Sequence, residues 1–357
     1  MKILIVRPTA LGDVCRTVPA LVSLRRALPD ARIDWLVHEG FADAVRHHPD
    51  LDGVVTFPRR ELGRLYRSLR GARMAWRWLS DLRGRRYDVA IDLQGLLRSG
   101  LITRLCGAAD RVGFANAREC AWLGYNRRFP VDNDLHTVDR MLGLIEAMGY
   151  APHRDMRLHV GPDDLKWVDD WKAEIAGPTA SYACLAPTAR WRCKCWPIER
   201  YVALGRRMLD QGLAGRRLVV LAAPHEDKQI RPLREAFDSV GDAVLFPRTT
   251  VGQMMALLSR SRLLVCNDSA PLHIAVGFAR PVVAIYGPTN PALVGPYRRD
   301  DAVIRPAAAA QDRRTNYRAH RDDQSLIAQV GLDEVWSKIE EQVEGVGGEA
   351  CGGRDGA

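Results

Sequence analysis

Neither half of the chain carries a G-x-G-x-x-G after its first strand-like run, which disfavours an NAD-type oxidoreductase. No C-x-x-C pair with zinc spacing occurs either. The eight cysteines (Cys15, Cys106, Cys120, Cys184, Cys193, Cys195, Cys266 and Cys351) are scattered, as fits a reducing cytosol. Cys193 and Cys195 flank Lys194 in a C-x-C, but two thiolates so close need further ligands, and none is obvious. No apolar run approaches the roughly 18 residues that span a bilayer. The first apolar run, Ile3 to Val6, is too short for a signal-peptide core and stops at Arg7.

What remains is an ordinary globular composition with an excess of positive charge. A chain of 357 residues is long enough for two domains and a sizeable core. Hydrophobic residues make up 47% and charged residues 27%, as in folded soluble proteins. The net charge of +9 favours an anionic partner: nucleic acid, a phosphorylated small molecule or a membrane surface. Nucleic acid has only the charge in its favour, since no recognised binding module is present.

Strand-like runs alternate with helical stretches in two successive series. The first comprises 2–7, 32–37, 53–57, 87–94 and 111–114, with helices expected around 60–84 and at 136–149. Residues 151–164 read as a linker, after which strands restart at 181–187, 217–224, 243–247, 261–268 and 281–288. Apolar strands separated by helices imply parallel sheets covered on both faces. The expected fold class is α/β: two Rossmann-like domains, 1–160 and 161–330, whose parallel sheets face a central cleft. A terminal helix is expected at 331–345 and a disordered tail at 346–357, where small and polar residues cannot bury enough surface to order.

Two stretches fall where ligands bind in such sheets, at the carboxyl ends of strands. RPTALGD follows the first strand and places a carboxylate, Asp13, where a phosphate cradle would want bare amides. In CNDSAPLH (266–273) a buried strand ends in Asn-Asp-Ser and a helix begins, with Asp268 or Ser269 placed to cap it. Such a helix start suits phosphate oxygens, and a neighbouring acid suits a hydroxyl-rich group such as a sugar. The bland alternatives are that Asp13 and Asp268 are helix caps and that His273 packs in a first turn.

Five ordered motifs carry a resemblance: RPTALGDVCRTVPAL, YDVAIDLQGLLRSGLITRL, KCWPIERYVAL, APHED and NDSAPLHIAVGFARPVVAIYGPTNP. The chain resembles glycosyltransferase family 9, the heptosyltransferases of lipopolysaccharide inner-core assembly, from its first residues to about residue 300. The resemblance implies a GT-B fold, ADP-heptose as donor, a Kdo-containing acceptor and inversion at the anomeric carbon, with no metal or cofactor. Asp13 matches the family's catalytic base, and Lys194 its diphosphate-binding lysine. Thr188 matches a phosphate-contacting threonine and Glu226 an acid on the nucleotide ribose. Asp268 would bind heptose hydroxyls, and Ser269, Ala270, Leu272 and His273 would present the diphosphate site. The loop between Thr188 and Lys194 is longer than the family pattern, with Ala189 where a second hydroxyl often stands, so Arg190 or Arg192 could share the phosphate.

The acceptor side falls to the first half. Residues 59–86 are arginine-rich with only Glu61 and Asp81 as acids, and arginine forks suit carboxylates and phosphates. Arg59, Arg60 and Arg64 fall where the family has a basic acceptor-binding segment. Gly12, Gln94, Arg98, Arg118 and Arg128 are further candidates for that face. Trp76 and Trp78 suit a membrane interface, or else a helix partly in the core. Three alternatives stay open: another anionic glycan as acceptor, a protein acceptor, and a non-catalytic sugar-nucleotide-binding module. The implied location is cytoplasmic, peripheral on the inner membrane.

Overall fold

The computed structural model describes residues 1–57, 68–176, 181–213, 217–310 and 321–349. The central strands of each sheet form where apolar residues cluster. In β1 (Lys2–Val6) every residue from Ile3 onward is buried, as a strand covered on both faces requires. The rest of the first sheet is β2 (Arg32–His38), β3 (Gly53–Phe57), β4 (Val89–Asp92), β5 (Asp110–Phe114) and β6 (Arg127–Phe129). All pairings are parallel, in the order β3-β2-β1-β4-β5-β6.

A second sheet contains β7 (Ala183–Ala186), β8 (Leu218–Val220), β9 (Val244–Leu245), β10 (Leu263–Asn267), β11 (Val282–Ile285) and β12 (Val303–Ile304). Its order is β12-β11-β10-β7-β8-β9, again all parallel. Counted from its own first strand, each sheet has the same order, third-second-first-fourth-fifth-sixth. The chain divides into two units, Met1–Gly161 and Pro162–Ala357.

That order has a chemical consequence. In each sheet the direction of strand addition reverses beside the first strand, which opens a crevice past the carboxyl ends. The crevice lies between β1 and β4 in one unit and between β7 and β10 in the other. Loops leaving those four strands are therefore the ones placed to meet a ligand.

Several elements are shorter than the sequence suggests. The run at 87–94 narrows to Val89–Asp92, because the Asp92 carboxylate accepts the N–H groups of Gln94 (2.8 Å) and Gly95 (3.0 Å) and turns the chain. β6 and β12 were not expected: one is RRF and the other is two residues long. The helix at Val251–Arg260 starts at a capping box, in which Thr250 Oγ1 accepts from Gln253 N (3.1 Å) and Gln253 Oε1 accepts from Thr250 N (3.0 Å). The terminal helix Leu332–Glu349 continues past the expected end at 345, and 350–357 lie outside the described residues. Among the described residues, no helix is long and apolar enough to cross a membrane.

Candidate functional site

In the first unit the chain leaves β1 as Arg7-Pro8-Thr9-Ala10 and enters a helix, Leu11–Arg16. Asp13 stands in its first turn, and its Oδ2 accepts the Ala10 N–H at 3.2 Å. The carboxylate therefore does the local capping that the bland alternative required. It does more: Oδ1 pairs with Arg7 Nη2 at 3.3 Å and with Arg16 Nη2. Burial pulls the carboxyl upward, but Arg7, Arg16 and the Ala10 amide outweigh it and hold the group well below the usual carboxylate range. The side chain is still 30% exposed while both arginines are almost covered. Gly12 is buried beneath it.

The opposite lip comes from β4. Gln94 Oε1 accepts Thr9 N at 3.2 Å and Gln94 Nε2 donates to Thr9 Oγ1 at 3.4 Å, which joins the two loops across the crevice. Arg118 N donates to Gly95 O (3.0 Å), which brings that residue to the same lip. The Arg98, Arg118 and Arg128 side chains are exposed. Arg140 is an addition that sequence reasoning missed. Its guanidinium lies 4.3 Å from the Phe114 ring centre and its Nε is buried without a hydrogen-bond partner. Burial lowers its pKa, and the positive charges of Arg118 and Arg7 push the same way. Arg59, Arg60 and Arg64 lie outside the described residues. The two tryptophans separate: Trp78 Nε1 donates to Thr56 O (2.9 Å) and its ring packs edge-on to Phe57, whereas Trp76 is 70% exposed.

In the second unit the loops after β7 and β10 meet in the crevice. Lys194 Nζ lies 2.6 Å from Asp268 Oδ2, with only 14% and 8% of the two side chains exposed. Asn267 holds the loops in register. Fully buried, it accepts from Trp196 N (3.0 Å) and Tyr201 OH (3.2 Å) and donates to Pro187 O (2.7 Å). Replacing it with Ala strands those partners in a dry site, so Asn267→Ala should lose about 3 kcal/mol of stability in urea titrations. A midpoint unchanged from wild type would remove this role.

Asp268 does not cap the following helix, Ala270–Gly277, because its carboxylate goes to Lys194. Ser269 occupies the cap position without a side-chain cap bond, and its Oγ is buried without a hydrogen-bond partner. Pro271 has no N–H, and Leu272 N donates to Ser269 O at 3.3 Å. The amides left to an anion are therefore those of Ser269 and Ala270, since the first N–H groups of a helix have no partner within it. Leu272 and His273 are buried behind them. Thr289, just past β11, also has a buried hydroxyl without a hydrogen-bond partner.

Thr188 and Glu226 form one unit: Thr188 Oγ1 donates to Glu226 Oε2 at 2.9 Å, and Ala223 N donates to the same oxygen at 2.8 Å. The long loop between Thr188 and Lys194 is held from outside. Cys193 N donates to Arg321 O (2.9 Å), Gln324 Nε2 donates to Cys195 O (2.9 Å) and Arg192 Nε donates to Gln324 Oε1 (2.9 Å). Arg190 stacks on Trp191 at 4.9 Å. A Cβ on Gly287 would come within 2.7 Å of Cys193 O, so the turn after β11 must be glycine for the loop to lie there. Burial raises the Cys193 thiol and pushes Cys195 up to about 11, so the C-x-C is a pair of buried thiols. Among the described residues no group of three or more His, Cys, Asp or Glu side chains is gathered as a metal would need.

Two doubly wound units, each with an aspartate paired to a cation past its strand ends, have the architecture of the GT-B fold. The model of glycosyltransferase family 9 (heptosyltransferase) matches residues 75–320. Lipopolysaccharide heptosyltransferase 1 of Pseudomonas aeruginosa is 32% identical over 336 residues, covering 92% of this chain and 91% of that protein. The protein of the same name from Escherichia coli K12 is 29% identical over 311 residues, covering 85% and 93%. Among solved structures, the E. coli heptosyltransferase WaaC with ADP-2-deoxy-2-fluoro heptose superposes with a TM-score of 0.75 at 26% identity, covering 96% of this chain and 99% of that one. The chain belongs to glycosyltransferase family 9 and is a glycosyltransferase.

Proposed function

We propose that the protein transfers a heptose from ADP-heptose to a Kdo-containing lipopolysaccharide inner-core acceptor, with inversion and without a metal or cofactor. The observation that carries this reading is the Lys194–Asp268 pair across the β7/β10 crevice, in a chain whose relatives are named for heptose transfer to lipopolysaccharide. The solved relative with a fluorinated ADP-heptose supports the donor.

The acceptor hydroxyl oxygen attacks the anomeric carbon, the bond from that carbon to the diphosphate oxygen breaks, and ADP leaves with its electron pair. The hydroxyl proton passes to Asp13. Lys194 and the Ser269 and Ala270 amides take up the charge gathering on the diphosphate. Asp268 accepts from heptose hydroxyls. Both hydrogen bonds given to Glu226 fall on Oε2, which leaves Oε1 for a ribose hydroxyl. Arg98, Arg118 and Arg140 take the acceptor's carboxylates and phosphates. The setting is the cytoplasmic side of the inner membrane, where a lipid-borne acceptor is within reach.

The test is incubation with ADP-heptose and a de-acylated Kdo acceptor, with released ADP and the glycosylated product read by mass spectrometry. One heptose added per ADP, at a rate unchanged by a chelator, is the expected result. Turnover only with another nucleotide sugar would overturn the donor assignment. Turnover only on another glycan or on protein would overturn the acceptor.

A further inference from the structure

The helix Leu97–Leu105 and the 3-10 turn Ala121–Gly124 carry exposed leucines to which the catalytic reading gives no role. Leu97 and Leu101 are 55% and 52% exposed, and Leu123 is 56% exposed. The first two are four residues apart on a helix and so share one face. The turn lies against that helix at backbone contact: a Cβ on Gly100 would meet Ala121 O at 2.5 Å, and one on Gly124 would meet Gly100 O at 2.1 Å. Three exposed leucines thus stand on two elements locked together, which leaves them little freedom to fold inward.

The stretch of chain that carries this face is basic. Between residues 96 and 128 there are six arginines (Arg98, Arg104, Arg111, Arg118, Arg127 and Arg128) and two acids, Asp110 and Glu119. Asp110 is taken by Arg127 (3.2 Å), and Glu119 accepts Leu97 N (3.2 Å). Trp122, half-buried, has the Arg128 guanidinium 5.0 Å from its ring centre. Leucines with an aromatic and arginines around them match the boundary of an anionic bilayer, where apolar side chains enter the acyl edge and guanidiniums meet headgroup phosphates.

We propose that this face docks the protein on an anionic lipid bilayer. It adjoins the acceptor lip, since Leu97 follows Gln94 by three residues and Arg118 bonds Gly95. Docking there would hold the lip at the membrane surface. The proposal deepens the membrane setting given above by naming the face that meets the lipid, and its test is independent of catalysis, because vesicle binding is measured without turnover.

The test compares the full-length protein with a Leu97→Ser/Leu101→Ser/Leu123→Ser variant in flotation with extruded vesicles. One set contains phosphatidylglycerol and phosphatidylethanolamine, the other phosphatidylcholine alone. Wild type should float with the anionic set, lose that binding at about 1 M salt, where screening is short-ranged, and bind the neutral set weakly. The triple variant should lose at least about tenfold in bound fraction and keep wild-type activity on a de-acylated acceptor. Arg104→Gln/Arg127→Gln should weaken anionic binding with the leucines intact. Equal flotation of wild type and triple variant would overturn the proposal. So would a concentration-dependent dimer that disperses in the triple variant while neither protein floats, because the face would then belong to a second copy of the chain.

Discussion

Asp13→Asn is expected to keep donor affinity and lose roughly 10²–10⁴ in turnover. The amide preserves the shape of the side chain and an oxygen for the Ala10 N–H, but it cannot take a proton. Donor affinity is spared because the residues assigned to the nucleotide sugar belong to the other unit. The resting geometry adds a condition. With Arg7 and Arg16 holding it low, the carboxylate is fully ionised across neutral pH and is a weak base. With Asp13 as the proposed base, proton transfer would then fall late, when bond formation has made the acceptor hydroxyl acidic. Wild-type kcat/KM should accordingly show no acid limb from Asp13 between about pH 5 and 8. A depressed folded-state pKa contributes stability above the unfolded value near about 3.9 that is lost as pH falls through the folded value. The melting-temperature gap between wild type and variant should therefore narrow as the solution is acidified below about pH 4. Isothermal titration with donor, together with steady-state turnover, decides the matter: near-normal turnover in Asp13→Asn would remove the residue from the chemistry.

Lys194→Ala should cost about 10²–10³ in kcat/KM by leaving the departing diphosphate without its main cation. It should also destabilise the second unit by about 3 kcal/mol, because Asp268, 8% exposed, would be left without its partner in a covered site. The two losses can be separated. Lys194→Ala/Asp268→Ala removes both charges, so it should regain much of the stability while staying inactive. Unchanged donor affinity and rate in the single variant would exclude Lys194 from the mechanism. Recovery of activity in the double variant would mean that the lysine serves the fold alone.

Much of this was legible because parallel sheets covered on both faces write their strands as unbroken apolar runs. β1, β10 and β11 stand out for that reason, and the sequence places the loops after them at strand ends. The outer strands could not. β6 is Arg-Arg-Phe with both arginines exposed, and β12 has two residues, so neither carries a periodic signal. Arg16 had a usable one, three residues after Asp13 on a helix. Asn267 had none. Its partners Trp196 and Tyr201 lie 71 and 66 residues away, and nothing local distinguishes a loop-pinning asparagine from a turn residue. Arg140 was missed because a lone arginine in an amphipathic helix normally points to solvent. Here Phe114, from a distant strand, gives it an interior wall.

The Lys194–Asp268 contact would make capture of a nucleotide-sugar donor an exchange rather than a simple addition. On the proposed reading, the diphosphate draws the ammonium away from the carboxylate, and the heptose hydroxyls then replace what Asp268 has given up. A spent nucleotide makes the first half of that exchange and not the second, since it has no sugar to offer. On that reading Asp268 would be left competing for Lys194, and the contact would favour the loaded donor and help to eject ADP.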